Sequence, residues 1–242
     1  MSDNQNKKHL PDKSSTEDIN SFLTKVRTTP AATTTGKKGR LIFAMDATAS
    51  REPTWDHASH LQAQMFSETA NLGGLEIQLC YYRGFAEFHA SPWLDKTDQL
   101  LNQMTAVHCS AGHTQIYKIL KHCIKEAKAS NKPNAGKINA LVFIGDSVEE
   151  DIDKLGHVAG ELGLLGIPAF MFHEGHDSMA AKAFKQIARL SGGAYCPFDT
   201  GSAKQLRDLL SAVAVYAAGG HKALENFHAS RGSVILKLTK SN

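Results

Sequence analysis

The sequence of 242 residues lacks any apolar run that approaches the roughly 18 residues of a membrane-spanning helix. Its first twenty residues are polar and show neither the apolar stretch nor the small-residue cleavage site of a secretory signal. Net charge is also scarce, because 27 Lys and Arg stand against 24 Asp and Glu, a formal +3. Binding to nucleic-acid phosphates needs a larger positive surplus. We therefore expect a cytoplasmic protein whose partners are neither membranes nor nucleic acids.

Paired cysteines and phosphate-binding glycine motifs are absent as well. No two of the four cysteines form a Cys-x-x-Cys pair, which excludes a zinc ribbon and a thioredoxin-type motif, and free thiols are the expectation. The chain has no G-x-x-x-x-G-K-[ST] loop and no G-x-G-x-x-G turn after its first predicted strand. These two absences argue against nucleotide binding.

The two ends of the chain differ in composition from its centre. Residues 1–38 are rich in Asn, Ser, Thr and Lys and cannot bury much apolar surface, so they predict a disordered basic tail. Within that tail, four apolar residues with helical spacing at positions 19–26 could dock as a short helix or fray. Residues 39–217 predict one folded domain, and the packing of the extension at 218–242 stays open.

Periodicity in the centre of the chain predicts strands that alternate with helices. Continuous apolar runs at 41–45, 140–144 and 167–172 are typical of strands buried on both faces of a parallel sheet. An alternating segment at 76–82, a turn and then residues 85–88 predict a hairpin at a sheet edge. We expect an open, doubly wound, mostly parallel α/β sheet flanked by helices, with one antiparallel edge strand. Helical spacing recurs at 61–72, 100–104, 116–127, 155–165, 184–190 and 206–216, and weaker strand patterns at 194–196 and 234–238.

Oxygen-bearing side chains follow two of the predicted strands. Ligands of an open α/β sheet bind at the carboxyl ends of its strands. Asp46, Thr48 and Ser50 alternate with alanines, which turns three oxygens to one side, as a hard cation requires. Asp146 ends a second strand, and Thr114 follows a glycine where a helix begins. The pattern predicts a cation site at this edge.

These segments resemble the von Willebrand factor type A (VWA) domains that carry a metal-ion-dependent adhesion site. Asp46-x-Thr48-x-Ser50 is similar to the family's Asp-x-Ser-x-Ser, and Thr114 and Asp146 are similar to its second-loop Thr and third-loop Asp. The motifs occur in the family's order, and the resemblance extends over residues 39–217. Thr48 departs from the family's Ser by a methyl group, and Gly-Asp-Ser replaces the frequent Thr-Asp-Gly around Asp146.

The resemblance implies a six-coordinate Mg²⁺ or Mn²⁺ held by hydroxyls and water. The two aspartates would lie partly in the outer coordination shell of the ion. It further implies a bacterial, intracellular, non-enzymatic protein that offers an open coordination position to an Asp or Glu of a protein partner. ATPase and chaperone-type assemblies are the partners typical of such relatives. Candidate partner contacts at the rim, which ordinary solvated residues would equally produce, are Arg51, His113, Glu149, His173 and Glu174.

Two alternatives remain open at this point. A phosphohydrolase of the haloacid dehalogenase type also places an Asp after its first strand, and Gly145-Asp146 with Glu150 imitates its late acidic motif. Thr48 stands where that class has its second Asp, which removes the general acid and base. The other alternative is a scaffold of the same fold without metal. Since Asp46 is expected at a surface edge, its replacement by Ala is predicted to abolish metal binding and to leave the fold intact.

Overall fold

The structure, a computed structural model, describes residues 15–29, 38–52, 75–129, 136–198 and 208–218. One six-stranded sheet occupies its centre, with the strand order β3-β2-β1-β4-β5-β6. Every neighbouring pair is parallel except β2 and β3, which form the antiparallel edge hairpin. The predicted fold class is confirmed. The strands are β1 (Gly39–Asp46), β2 (Leu75–Arg83), β3 (Glu87–Ala90), β4 (Ile138–Gly145), β5 (Ala169–Glu174) and β6 (Tyr195–Phe198).

The described residues also form six α-helices. Asp151 and Asp177 begin two of them, because each carboxylate accepts hydrogen bonds from two backbone N–H groups of the first turn. Gly192, with φ of 81°, ends the second of these helices in the left-handed conformation. The helices are α1 (Thr16–Thr28), α2 (Thr97–Thr105), α3 (Ile116–Ala129), α4 (Ile152–Leu164), α5 (Ser178–Ser191) and α6 at residues 208–218.

The sheet separates two apolar layers. Alternate residues of the central strands point to opposite faces, so Ile42 belongs to the buried layer that contains α3, α4 and α5, whereas Phe43 belongs to the layer that contains α1, α2 and α6. Both faces of β1 and β4 are therefore buried, as the continuous apolar runs predicted. The loops that leave the carboxyl ends of these strands therefore start from a sheet that is packed on both faces.

Helix α1 corrects the prediction of a disordered tail for residues 16–28. Ser15 and Asp18 form a reciprocal capping box at its start. Phe22 is 1% exposed and its ring centroid lies 5.8 Å from that of Phe170 and 5.2 Å from that of Phe172. Composition averaged over 38 residues hides this short amphipathic stretch, which becomes stable only by packing on the sheet.

Both edge strands of the sheet are four residues long. The carbonyl of Ala194, just before β6, and that of Phe198 at its end accept hydrogen bonds from Met171 and Gly175, so the alternation of the strand turns the backbone of Pro197 outward. No described helix is both long and apolar enough to span a membrane. The helix predicted at 61–72, the strand predicted at 234–238 and residues 219–242 of the predicted extension lie outside the described residues.

Candidate functional site

The strand order reverses between β1 and β4, and this is where the predicted cation ligands lie. Asp46 is the last residue of β1, and Asp146 directly follows β4. The register pairs Met45 with Ile144, which brings the two strand ends side by side. A crevice of this kind at the carboxyl edge is the usual ligand position of a doubly wound sheet.

Asp46 is fully buried, which corrects the expectation that it sits at a surface edge. Its Oδ1 accepts the Thr48 N–H at 2.8 Å, and its Oδ2 accepts the Tyr82 hydroxyl at 2.9 Å. Burial raises the pKa of the Asp46 carboxyl above its ordinary value, although the hydrogen bonds from Thr48 oppose the shift and the charge of Asp146 adds to it. Replacing Asp46 by Ala would leave two buried donors unpaired, so that variant no longer separates metal binding from stability.

Thr48 and Ser50 present a pair of hydroxyls at the entry to a short 3₁₀ turn, Ala49–Arg51. Their oxygens lie 3.1 Å apart, with Thr48 buried and Ser50 exposed. Adjacent ligands in an octahedral Mg²⁺ site with bonds of about 2.05 Å are about 2.9 Å apart. The two hydroxyls are therefore spaced as neighbouring ligands of one small cation would be.

The loop at residues 110–115 is fastened to the end of β1 and to the β2–β3 turn. The Ser110 N–H donates to the Ala47 carbonyl at 3.0 Å, and the His113 N–H donates to the Gly84 carbonyl at 3.2 Å. A Cβ added to Gly112 would lie 1.9 Å from the Gly84 carbonyl oxygen. Only glycine permits this close approach, so Gly112 serves packing of the loop rather than loop flexibility.

Thr114 joins this loop to the segment after Asp146. Its hydroxyl accepts the Glu149 N–H at 2.9 Å, and its N–H donates to Glu149 Oε2 at 3.1 Å. Glu150 accepts the N–H groups of Ile116 and Tyr117 at 2.9 and 2.8 Å, which places a carboxylate at the N-terminus of α3. The acids after Asp146 thus hold the second loop and the following helix in place.

Asp146 Oδ1 is buried and has no hydrogen-bond partner among the described residues. Such an orphaned carboxylate oxygen is unusual, since buried polar atoms are nearly always paired. Within the described ranges, no three His, Cys, Asp or Glu side chains group as they do in carboxylate- or thiolate-rich metal sites. A cation at this edge would depend on hydroxyl oxygens together with the two aspartates.

Three of the five predicted rim residues are not at the surface. Arg51 and His173 are each 1% exposed and Glu174 is 8% exposed, so the expectation that they meet a partner directly is corrected. Arg51 forms a buried ion pair with Glu174, and His173 Nδ1 lies 3.0 Å from the Tyr195 hydroxyl. His173 and Glu174 are buried because both faces of β5 are covered, and the 3₁₀ turn Ala49–Arg51 directs Arg51 inward, which the sequence did not reveal.

His113 and Glu149 do lie at the rim. Their side chains are more than half exposed, and His113 Nδ1 is 2.9 Å from Glu149 Oε2. Phe85, which sequence reasoning did not single out, is 76% exposed at the hairpin turn with its ring edge-on to His113 at 5.3 Å. Tyr82 was also missed, although its position at the end of a strand parallel to β1 was a usable signal.

Solved structures of the same fold identify the class of this domain. The VWA domain of SpRpn10 matches with a TM-score of 0.55 at 14% identity, covering 72% of this chain and 94% of that one. BatB from Bacteroides thetaiotaomicron matches with a TM-score of 0.54 at 16% identity, covering 73% of this chain and 98% of that one. The PilB minor pilin of Streptococcus sanguinis matches with a TM-score of 0.58 at 11% identity, covering 81% of this chain and 64% of the pilin.

The chain therefore has the fold of a von Willebrand factor type A domain, as its motifs predicted. Identities of this size show the fold alone. No protein-family model matches the sequence, and no curated protein matches it. A shared fold does not specify a function, which depends on the geometry of the site.

Proposed function

We propose that the domain binds Mg²⁺ or Mn²⁺ through Asp46, Thr48, Ser50, Thr114 and Asp146 and uses the ion to bind an acidic side chain of a protein partner. The VWA fold supports a role in protein interaction. The orphaned Oδ1 of Asp146 is the observation that carries the metal assignment, because an added cation would satisfy it. The Thr48 and Ser50 hydroxyls, which follow the adjacent strand β1, have the spacing of two ligands of one octahedral ion.

Each residue has a role that follows from its position. The Thr48 and Ser50 hydroxyls supply neutral oxygen ligands, and Thr114 offers a further lone pair beside the one that accepts the Glu149 N–H. Asp46 and Asp146 supply negative charge. When bound, the ion offers an electrophilic position that a partner carboxylate can occupy, since few carboxylates of the chain neutralise it.

We place the contact with a partner at the exposed rim of the proposed site. His113 and Glu149 flank Thr114, and Phe85 projects from the adjoining hairpin turn. An exposed aromatic side chain beside polar groups is typical of a contact surface. The partner proposed is thus a protein that presents an Asp or Glu next to an apolar side chain.

A metal-free scaffold is the second candidate, and Arg51 is the observation that favours it. This buried guanidinium lies in the field of both Asp46 and Asp146, and it supplies positive charge to the site without an ion. The phosphohydrolase alternative loses its main support, because the fold is that of VWA domains and the second acid of its motif is Thr48. That the protein is not an enzyme stays a prediction.

The first test is calorimetric titration of Mg²⁺ and Mn²⁺ into the protein and into Thr48→Val, Thr114→Val and Asp146→Asn variants. These changes remove one oxygen or one charge while preserving side-chain shape. We expect each to weaken Mn²⁺ binding by at least about tenfold, because losing even an outer-shell partner of a metal ligand costs about 10- to 100-fold in affinity. Thr105→Val, which removes an exposed hydroxyl bonded only to its own helix, should leave affinity unchanged.

Absence of Mn²⁺ binding by the folded parent protein would favour the scaffold. Hydrolysis of p-nitrophenyl phosphate that requires Mg²⁺ and is lost in Asp146→Asn would favour the enzyme. Either result contradicts the proposal.

Partner chemistry is tested with Mn²⁺ as a relaxation probe. A capped peptide carrying Asp beside Leu should lower the water-proton relaxation of the Mn²⁺-loaded protein, because its carboxylate displaces a bound water. The matched Asn peptide should leave relaxation unchanged. Equal effects of the two peptides would exclude recognition of an acidic side chain.

A further inference from the structure

The buried ion pair between Arg51 and Glu174 joins the loop after β1, which carries Thr48 and Ser50, to the carboxyl end of β5. Arg51 follows Ser50 directly, at the end of the 3₁₀ turn. Glu174 ends β5, and the register of β4 with β5 pairs Gly145 with His173. Asp146 and Glu174, the residues that follow this pair, therefore both come at the carboxyl edge of the sheet, on neighbouring strands.

Both members of the pair are out of water. The Arg51 side chain is 1% exposed and that of Glu174 is 11% exposed. Charges in such a position are weakly screened by solvent and salt, so they act on neighbouring charges across several ångströms. Besides Glu174, the charges of Asp146 and Asp46 attract the Arg51 guanidinium, which places it within the field of the site.

We propose that the Arg51–Glu174 pair sets the cation affinity of this site, with Arg51 opposing the ion and Glu174 offsetting that opposition. The inference rests on the proposed function. A fixed guanidinium keeps the affinity of the partner-free site moderate, since the ion enters against a positive charge. A partner carboxylate adds negative charge at the same place, and by reciprocity ion and partner then strengthen each other's binding.

Charge-changing variants separate this role from a structural one. Arg51→Gln removes the positive charge and keeps a hydrogen-bond donor for Glu174, so Mn²⁺ should bind about tenfold more tightly. Glu174→Gln leaves the positive charge in place, so Mn²⁺ should bind about tenfold more weakly. The double variant restores the net charge and should return to within about threefold of the parent affinity.

The pair Arg83 and Glu87 on the β2–β3 hairpin provides the matched control. It is an ion pair at the same edge of the domain, but its side chains are 25% and 49% exposed. Arg83→Gln and Glu87→Gln should each change Mn²⁺ affinity by less than about twofold, because exposed charges are screened. Calorimetry gives the affinities, and near-ultraviolet circular dichroism with urea titration checks that each variant is folded.

A structural role predicts a different pattern, since a distorted site would bind Mn²⁺ more weakly in both single variants and in the double variant. That pattern, or changes no larger than those of the hairpin controls, would overturn the inference. If Arg51→Gln does not fold, Glu174→Gln decides the test by itself. An unchanged Mn²⁺ affinity of that folded variant would then overturn the inference. A parent protein that binds no Mn²⁺ refutes instead the proposed function, so the two failures are distinguishable.

Discussion

His122 shows how one partly buried side chain couples the stability of this domain to pH. Its Nε2 lies 2.8 Å from Gln78 Oε1, and Gln78 Nε2 already donates to the Ser91 carbonyl. The histidine must then be the donor in this contact. Burial lowers the pKa of His122 below its ordinary value of 6.5, so the folded domain favours the neutral ring.

The unfolded chain binds a proton at His122 near pH 6.5, whereas the folded domain does so only at a lower pH. The stability contributed by the neutral ring is therefore complete above 6.5 and is lost as the pH falls toward the pKa of the folded state. Urea midpoints at about pH 7.5 and about pH 5.5 measure this loss. We expect a smaller loss in His122→Gln than in the parent, and equal losses would contradict the assignment.

At the scale of elements, the most constrained contact of the site is between a loop and a hairpin. The turn of the β2–β3 hairpin presents the Gly84 carbonyl to Gly112 and His113. Lys118 of α3 donates to the Ala86 carbonyl of the same turn at 2.9 Å. The hairpin and the loop that carries Thr114 are thus one packed unit.

Gly112→Ala tests that unit. The new Cβ would overlap backbone atoms of Gly84, so the loop must move, at a cost of about 1–3 kcal/mol. Gly160→Ala in α4 is the matched control, because its Cβ would meet nothing within 4 Å. The free energy of unfolding of that control should rise by about 0.5–1 kcal/mol, since alanine has a higher helix propensity than glycine. Urea unfolding of both variants gives the comparison, and a neutral Gly112→Ala would contradict the close packing.

Elements of this domain could be predicted from the sequence where a single periodicity decides the structure. Continuous apolar runs sufficed for β1 and β4, and alternation with a turn sufficed for the β2–β3 hairpin. The burial of Arg51 and Glu174 could not be predicted, because it depends on the contact between the loop after β1 and the end of β5, which are distant in sequence. Motif spacing likewise indicates which oxygens share an edge, but not that Asp46 is buried.

At the scale of the whole molecule, α1 closes one face of the sheet. Phe22→Ala should cost about 3–5 kcal/mol, because it empties a buried aromatic position between Phe170 and Phe172. Thr24→Ala on the exposed side of the same helix should change stability by less than about 0.5 kcal/mol. Chemical denaturation measures both, and equal stabilities would mean that α1 does not dock in solution.

The sheet edge at Pro197 bears on how this domain can assemble. The outward position of β6 that holds Pro197 has no N–H, and the opposite edge strand, β3, is also only four residues long. A second chain that tried to extend the sheet would find too few donors for a continuous ladder. Growth into fibrils by strand addition at these two edges of the described sheet is thereby disfavoured.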